Sequence, residues 1–234
     1  MKTRIDFKVT GRFALFTDPL TRIGGEKCSY HIPTYEALKG IAKSIYWKPT
    51  FVWVIDKVRV MRHIRTQSKS MKPLIFNNGG NTLAIYTYLA DVEYQVQAHF
   101  EWNLYREDLA SDRDPNKHWH VANRMVEKGG RQDIFLGTRE CQGYVEPCTF
   151  GEEKGVYDNA GEIAYGLSFH GFDYPDETGT RELHSRFWRP VMKNGVVEFP
   201  VPKECSVRKF VREMVPNPPS PVGLREEGLL NELD

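Results

Sequence analysis

The stretch DPNKHWHVANRMVEKGG, residues 114–130, decides how the chain folds. Asp114 suits an N-cap, Pro115 the first helical position and Gly129-Gly130 a stop, so the spacing predicts a helix from about Pro115 to Lys128. Trp119, Ala122 and Val126 share one face of it. Upstream, RIDFKVTGRFALF (residues 4–16) alternates apolar Ile5, Phe7 and Val9 with polar neighbours, the period of a half-buried strand. Pro33-Thr34 opens a first helix whose Leu38, Ile41, Ala42 and Ile45 lie on one side. Pro49 ends it, because proline disfavours helical geometry in the residue before it. TFVWVIDKVRVM (50–61) and DVEYQVQAHFEWNLY (91–105) read as strands, with the loop signal NNGG (77–80) between them. DIFLGTRECQGYVEPCTF (133–150) adds a strand broken by glycines. The order strand, helix, strand, strand, helix, strand predicts an α+β fold, the ferredoxin-like βαββαβ pattern of an antiparallel sheet backed by two helices.

After residue 150 the pattern changes to short strand-like pieces, AYGLSFHG, RELHSRFWRPV and GVVEFPV, spaced by Gly, Pro and Asp turns. The expected organisation is therefore a ferredoxin-like domain over 1–150, a small antiparallel β-rich domain over 151–214, and a proline-rich, acidic tail over 215–234. Apolar residues make up 40% and charged residues 27% of the 234, an ordinary globular composition that excludes a disordered or fibrous chain. No apolar run approaches the ~20 residues of a membrane span, so a cytosolic protein without membrane contact is expected. Cys28, Cys141, Cys148 and Cys205 form no CxxC pair, and His118-x-His120 lacks a cysteine partner for a zinc spacing, so reduced thiols and no metal are expected. Neither a P-loop nor a dinucleotide fingerprint is present, which argues against a nucleotide-dependent metabolic enzyme.

The net charge of +1 gives no bulk attraction for nucleic acid, but charge is concentrated locally. KVRVMRHIRTQSKSMK (57–72) carries Lys57, Arg59, Arg62, Arg65, Lys69 and Lys72 with no carboxylate. It reads either as a solvated strand edge or as a surface that tracks phosphates. Lys117 and His118 in the first turn of the second helix read either as a solvated cap or as the acid/base end of a site. At ~100° per residue, Lys117, His120, Arg124 and Lys128 line the polar side and His118 sits nearer the apolar border, so periodicity alone favours His120. Trp47, Tyr86 and Tyr88 could stack on bases, although core packing is the commoner fate of such residues.

ALFTDPLTRIGGEKCSYHIPTYEALKGIAKSIYWKP (14–49), GGNTLAIYTYL (79–89), GGRQDIFLGTRECQGYV (129–145) and HGFDYPDETG (170–179) resemble the Cas-five family of CRISPR-associated RAMP proteins, in its subtype I-C variant. The resemblance implies a metal-independent endoribonuclease that needs no cofactor and cuts the CRISPR repeat RNA near the base of its hairpin. It further implies that the protein stays on the guide RNA, holding the 5′ handle beside the backbone and large subunits of the interference complex. The family's catalytic set matches Tyr46, Lys117 and His118 here, with His120 as the alternative imidazole. Such a set suffices chemically, because attack by the ribose 2′-OH needs alignment, one proton removed, one delivered and a cation at the developing charge. An imidazole titrates near ~6.5 and can do either proton transfer. Family members share a glycine-rich loop, matched by the run from Gly129, with Arg131 and Arg139 beside it; without the resemblance a tight turn would be the simpler reading. Arg59, Arg62, Arg65, Lys69, Arg131, Arg139 and His120 are the expected RNA contacts, and duplex DNA is a further possible partner. The alternative is a subunit of the same complex that anchors guide RNA without cutting it.

Overall fold

The computed structural model describes residues 3–19, 21, 25–75 and 79–216. Strand β1 (Arg4–Ala14) buries Ile5, Phe7 and Val9 as its alternation predicts. Helix α1 (Tyr35–Ile45) is capped by Thr34, whose hydroxyl accepts from the Ala37 N–H at 3.2 Å. Then come β2 (Phe51–Val60), β3 (Thr66–Met71) and β4 (Ala84–Trp102). Helix α2 (Pro115–Glu127) starts on the Asp114 cap, and β5 (Ile134–Phe135) and β6 (Gln142–Pro147) follow. The pairings between these strands are antiparallel, and the central spatial order is β6, β1, β4, β2.

Three differences from the sequence reading have physical causes. β4 begins seven residues before Asp91, which takes a left-handed φ of 51° within it, so one long strand bends where the pattern seemed to start. β3 pairs with the first part of β4 and is exposed on both faces, so it has no apolar alternation to read. The stretch after 150 divides. Strands β7 (Glu162–Ala164), β10 (Val191–Lys193) and β11 (Val196–Glu198) extend the large sheet beyond β2. β8 (Ser168–Asp173), β9 (Glu182–Trp188) and β12 (Val207–Glu213) form a separate three-stranded sheet. The tail expected over 215–234 lies outside the described residues from 217 onward.

The elements that matter for function meet at one end of the large sheet. Gly129 and Gly130, at φ 80° and 107°, close α2 with their N–H groups on the Val126 and Met125 carbonyls. The chain then turns onto the C-terminus of α1. There the Arg131 and Gln132 N–H groups bond the Ser44 carbonyl at 3.1 and 3.0 Å, satisfying a helix end that would otherwise lack donors. Gly137 is indispensable to the next turn. Its φ is 96°, and a Cβ there would lie 2.1 Å from the Leu15 carbonyl oxygen. The freedom of this glycine serves the close approach of two chain segments, locked by the Leu15 N–H on the Leu136 carbonyl at 2.9 Å.

Candidate active site

Tyr46 is the residue at which α1 stops. Its backbone is extended, its N–H bonds the Ala42 carbonyl at 3.0 Å, and its own carbonyl accepts from the Trp53 indole at 2.7 Å. The phenol is thereby aimed at the first turn of α2, where Asp114 accepts from the Asn116 and Lys117 N–H groups at 2.9 and 3.3 Å. The Tyr46 hydroxyl lies 2.8 Å from His118 Nδ1. The His118 ring is wholly buried, among Phe51, Phe100 and Trp102 at centroid distances of 5.2–6.2 Å. His118 Nε2 lies 2.7 Å from the Asp112 carbonyl oxygen. A carbonyl only accepts, so Nε2 carries a hydrogen. In the neutral ring Nδ1 is then the acceptor and the Tyr46 O–H the donor.

Asp112 is the member of the cluster that sequence reasoning missed. Its carboxylate accepts from Lys117 Nζ at 2.5 Å and from the Thr50 hydroxyl at 2.7 Å, and lies 3.4 Å from His118 Nε2. Those bonds to Lys117 and Thr50 hold its pKa below the usual carboxylate range. The signal in the sequence was an acidic residue just upstream of a cationic helix start, which the neighbouring cap Asp114 obscures. Burial pushes the Tyr46 phenol above its ordinary value, the nearby Asp112 charge adds to this, and Arg131 opposes both, so Tyr46 keeps its proton at neutral pH. His120 points to solvent against Trp119, edge to face at 4.9 Å, outside the cluster. Periodicity placed His120 on the polar side and His118 at the apolar border, and the structure has His120 exposed and His118 buried where the end of the sheet covers the first turn of α2.

The family model described as "CRISPR-associated protein (Cas_Cas5)" matches residues 5–200, most of the chain. The chain belongs to the Cas5 family. It is 26% identical over 232 residues to a protein of Mannheimia succiniciproducens named "CRISPR pre-crRNA endoribonuclease Cas5d", covering 86% of this chain and 96% of the relative. A Thermus thermophilus protein of the same name is 28% identical over 182 residues, covering 71% of this chain and 74% of that one. A solved structure titled "Crystal Structure of CRISPR-associated Protein" superposes with a TM-score of 0.74 at 37% identity, covering 88% of this chain and 96% of the other.

The cations of this Cas5 chain fall into two groups. Carboxylates from distant parts of the chain neutralise the first half of the 57–72 run. Lys57 pairs with Glu198 at 2.6 Å, Arg62 with Glu93 at 2.8 Å and Arg59 with Asp158 at 2.6 Å. Arg59 is moreover buried, and its guanidinium also donates to Gln95. Arg59 is therefore a buried ion pair, with less of its guanidinium open to a phosphate than the sequence suggests. The second group rests on aromatic rings. Lys69 Nζ lies 3.2 Å from the Phe13 ring centroid and 5.3 Å from that of Tyr88, and Lys27 lies over Tyr86 at 5.1 Å. Arg12 covers Phe13 at 5.4 Å and Arg139 covers Phe135 at 5.8 Å. Among the described residues none of these four has a carboxylate at ion-pair distance, so their charge stays available. Arg65 is exposed in the turn before β3, and Arg131 is exposed beside the C-terminus of α1. All four cysteines are unpaired thiols, and no described helix is long and apolar enough to cross a membrane.

Proposed function

We propose that this Cas5 chain is a CRISPR repeat endoribonuclease that works without a metal ion and remains on the 5′ handle of its product. The single observation that carries this reading is the contact of Tyr46, at the end of α1, with His118 in the first turn of α2, where Asp112 links the other edge of the imidazole to Lys117. The name that both relatives carry supports the endoribonuclease reading. In the reaction the 2′-oxygen bonds to the adjacent phosphorus and the bond from phosphorus to the 5′-oxygen breaks. The products are a 2′,3′-cyclic phosphate and a 5′-hydroxyl. His118 moves protons between the two oxygens, Lys117 supplies the charge for the phosphorane, and Tyr46, kept protonated, orients His118 and the 2′-OH. The cations on aromatic rings, with Arg65 and Arg131, hold the RNA; bases stack where rings are half exposed. The order β6, β1, β4, β2 supports a ferredoxin-like core over 1–150, with the β-rich residues 151–214 folded against it. Backbone and large subunits of a subtype I-C complex, in the cytoplasm, are its proposed partners, with duplex DNA a further ligand of the same basic surface.

Incubation with repeat RNA in excess EDTA should give one cut, abolished by a single deoxynucleotide at the junction. Loss of cutting in EDTA, restored by a divalent ion, would end the metal-independent proposal. One observation favours the alternative of an anchoring subunit: His118 has no solvent access. RNA held tightly but intact in the same assay would establish that alternative.

A further inference from the structure

The burial of His118 poses a problem for any reaction at its ring, because both nitrogens already have partners. The one at Nε2 is Asp112, through its main-chain carbonyl and one carboxylate oxygen. The carboxylate is an anion that accepts from two donors, the Lys117 ammonium and the Thr50 hydroxyl, and lies 3.4 Å from a third group, the His118 imidazole. Two of those three side chains are almost wholly buried, and only Lys117 reaches solvent. This is a built anion site, roofed by Asp112, whose side chain is 27% exposed.

The segment that bears the roof is loosely held. Residues Glu107–Asp112 form a short 3-10 helix with no fully buried residue and Leu109 as its one partly buried apolar side chain, so its displacement exposes little apolar surface. Its neighbours stay in place, since Arg113 anchors the following turn to the Asn103 and Arg106 carbonyls at 3.1 Å.

We propose that the Asp112 carboxylate occupies the subsite of the scissile phosphodiester, and that RNA enters by displacing it. The phosphate then takes the bonds from Lys117 and Thr50. The same movement carries the Asp112 carbonyl off Nε2 and frees that N–H for the reacting oxygens. Unliganded protein is thus held inactive by an internal stand-in for its substrate. This rests on the cleavage site described above and adds the location of the phosphate.

The test compares the parent chain with Asp112→Asn, which keeps the shape and the acceptor for Thr50 but loses the charge. Binding is measured with repeat RNA carrying the blocking deoxynucleotide. Removing the competing charge should tighten binding by about three- to tenfold. At sub-saturating RNA the cleavage rate should rise by the same factor. In a Lys117→Ala background the gain should vanish, because both anions compete for that ammonium. Unchanged or weaker binding by a variant that melts like the parent overturns the proposal, and so does a gain that survives Lys117→Ala. A hundredfold slower cut at saturating RNA also overturns it, showing that Asp112 orients the imidazole instead. His118→Ala in the same assay separates the two levels. If it still cuts, the site itself is wrong; if it is dead while Asp112→Asn gains nothing, only the stand-in fails.

Discussion

Two histidines are wholly buried in this protein, and their surroundings match closely. His118 lies among Phe51, Phe100 and Trp102; His170 stacks on Tyr35 at 4.2 Å and meets Trp188 and Phe199 edge to face. Each gives its Nε2 hydrogen to a main-chain carbonyl, that of Asp112 or that of Pro200, and each has a donor at Nδ1. The contrast lies in what the donors are. His170 faces the buried Arg186 guanidinium, and burial together with that charge pushes its pKa down to about 3. It cannot take up a proton at any physiological pH. His118 faces a neutral phenol and, at the rim, a carboxylate with a solvent-exposed ammonium beside it. Burial does not mark a functional imidazole; the neighbours along its edges decide whether protons can pass.

The largest expected effect tests the first half of that contrast. His118→Ala should slow single-turnover cleavage by roughly 10²–10⁴-fold while binding of the uncleavable RNA stays within a few-fold. Comparable loss of binding would recast His118 as a packing residue like its counterpart.

His170→Ala should do the reverse. It leaves a void and removes the acceptor of the buried Arg186 Nε–H, which should cost about 2–4 kcal/mol in a denaturant titration. The cleavage rate constant of the folded protein should move less than about threefold, and a collapse of that rate would erase the distinction.

The pH dependence sharpens it further. Between about pH 6.5 and 3 the unfolded chain binds a proton at residue 170 that the folded chain refuses, so stability falls as pH drops. From pH 7 to pH 5 the loss should be about 2 kcal/mol, and His170→Gln should flatten it, as followed by melting temperature. An equal slope in the variant would show that other groups control that window. The smallest effect is expected at His120. Its replacement by alanine should change the cutting rate less than about threefold, since the ring lies at the surface. A dead His120→Ala beside an active His118→Ala would exchange the roles.

Local chemistry made much of the fold legible. The Asp114 cap, the Gly129-Gly130 stop and the alternation of Ile5, Phe7 and Val9 act within a few residues, and these elements stand where the pattern puts them. What escaped notice depends on partners far along the chain. Arg59 reads as an unpaired cation in the sequence because Asp158, its partner in space, lies 99 positions away. The short strands β7, β10 and β11 gave no sign that they would prolong the large sheet beyond β2, because an edge is chosen in space and not in sequence. At the site, the resemblance supplied Tyr46, Lys117 and His118, whereas Asp112 gains meaning only once Thr50 and the first turn of α2 are brought beside it.

One more consequence belongs to β4. A single uninterrupted strand carries Tyr88, beneath the Lys69 ammonium, near one end, and Trp102, against the His118 ring, at the other. At about 3.3 Å per residue these lie at most roughly 45 Å apart, less for the bend at Asp91. On the proposed function the strand would work as a caliper: an RNA gripped at the ring-bound cations would present to the imidazole only the linkage that lies one jaw-width away. The position of the cut would then be counted out by backbone length, with no need to read the base at which it falls.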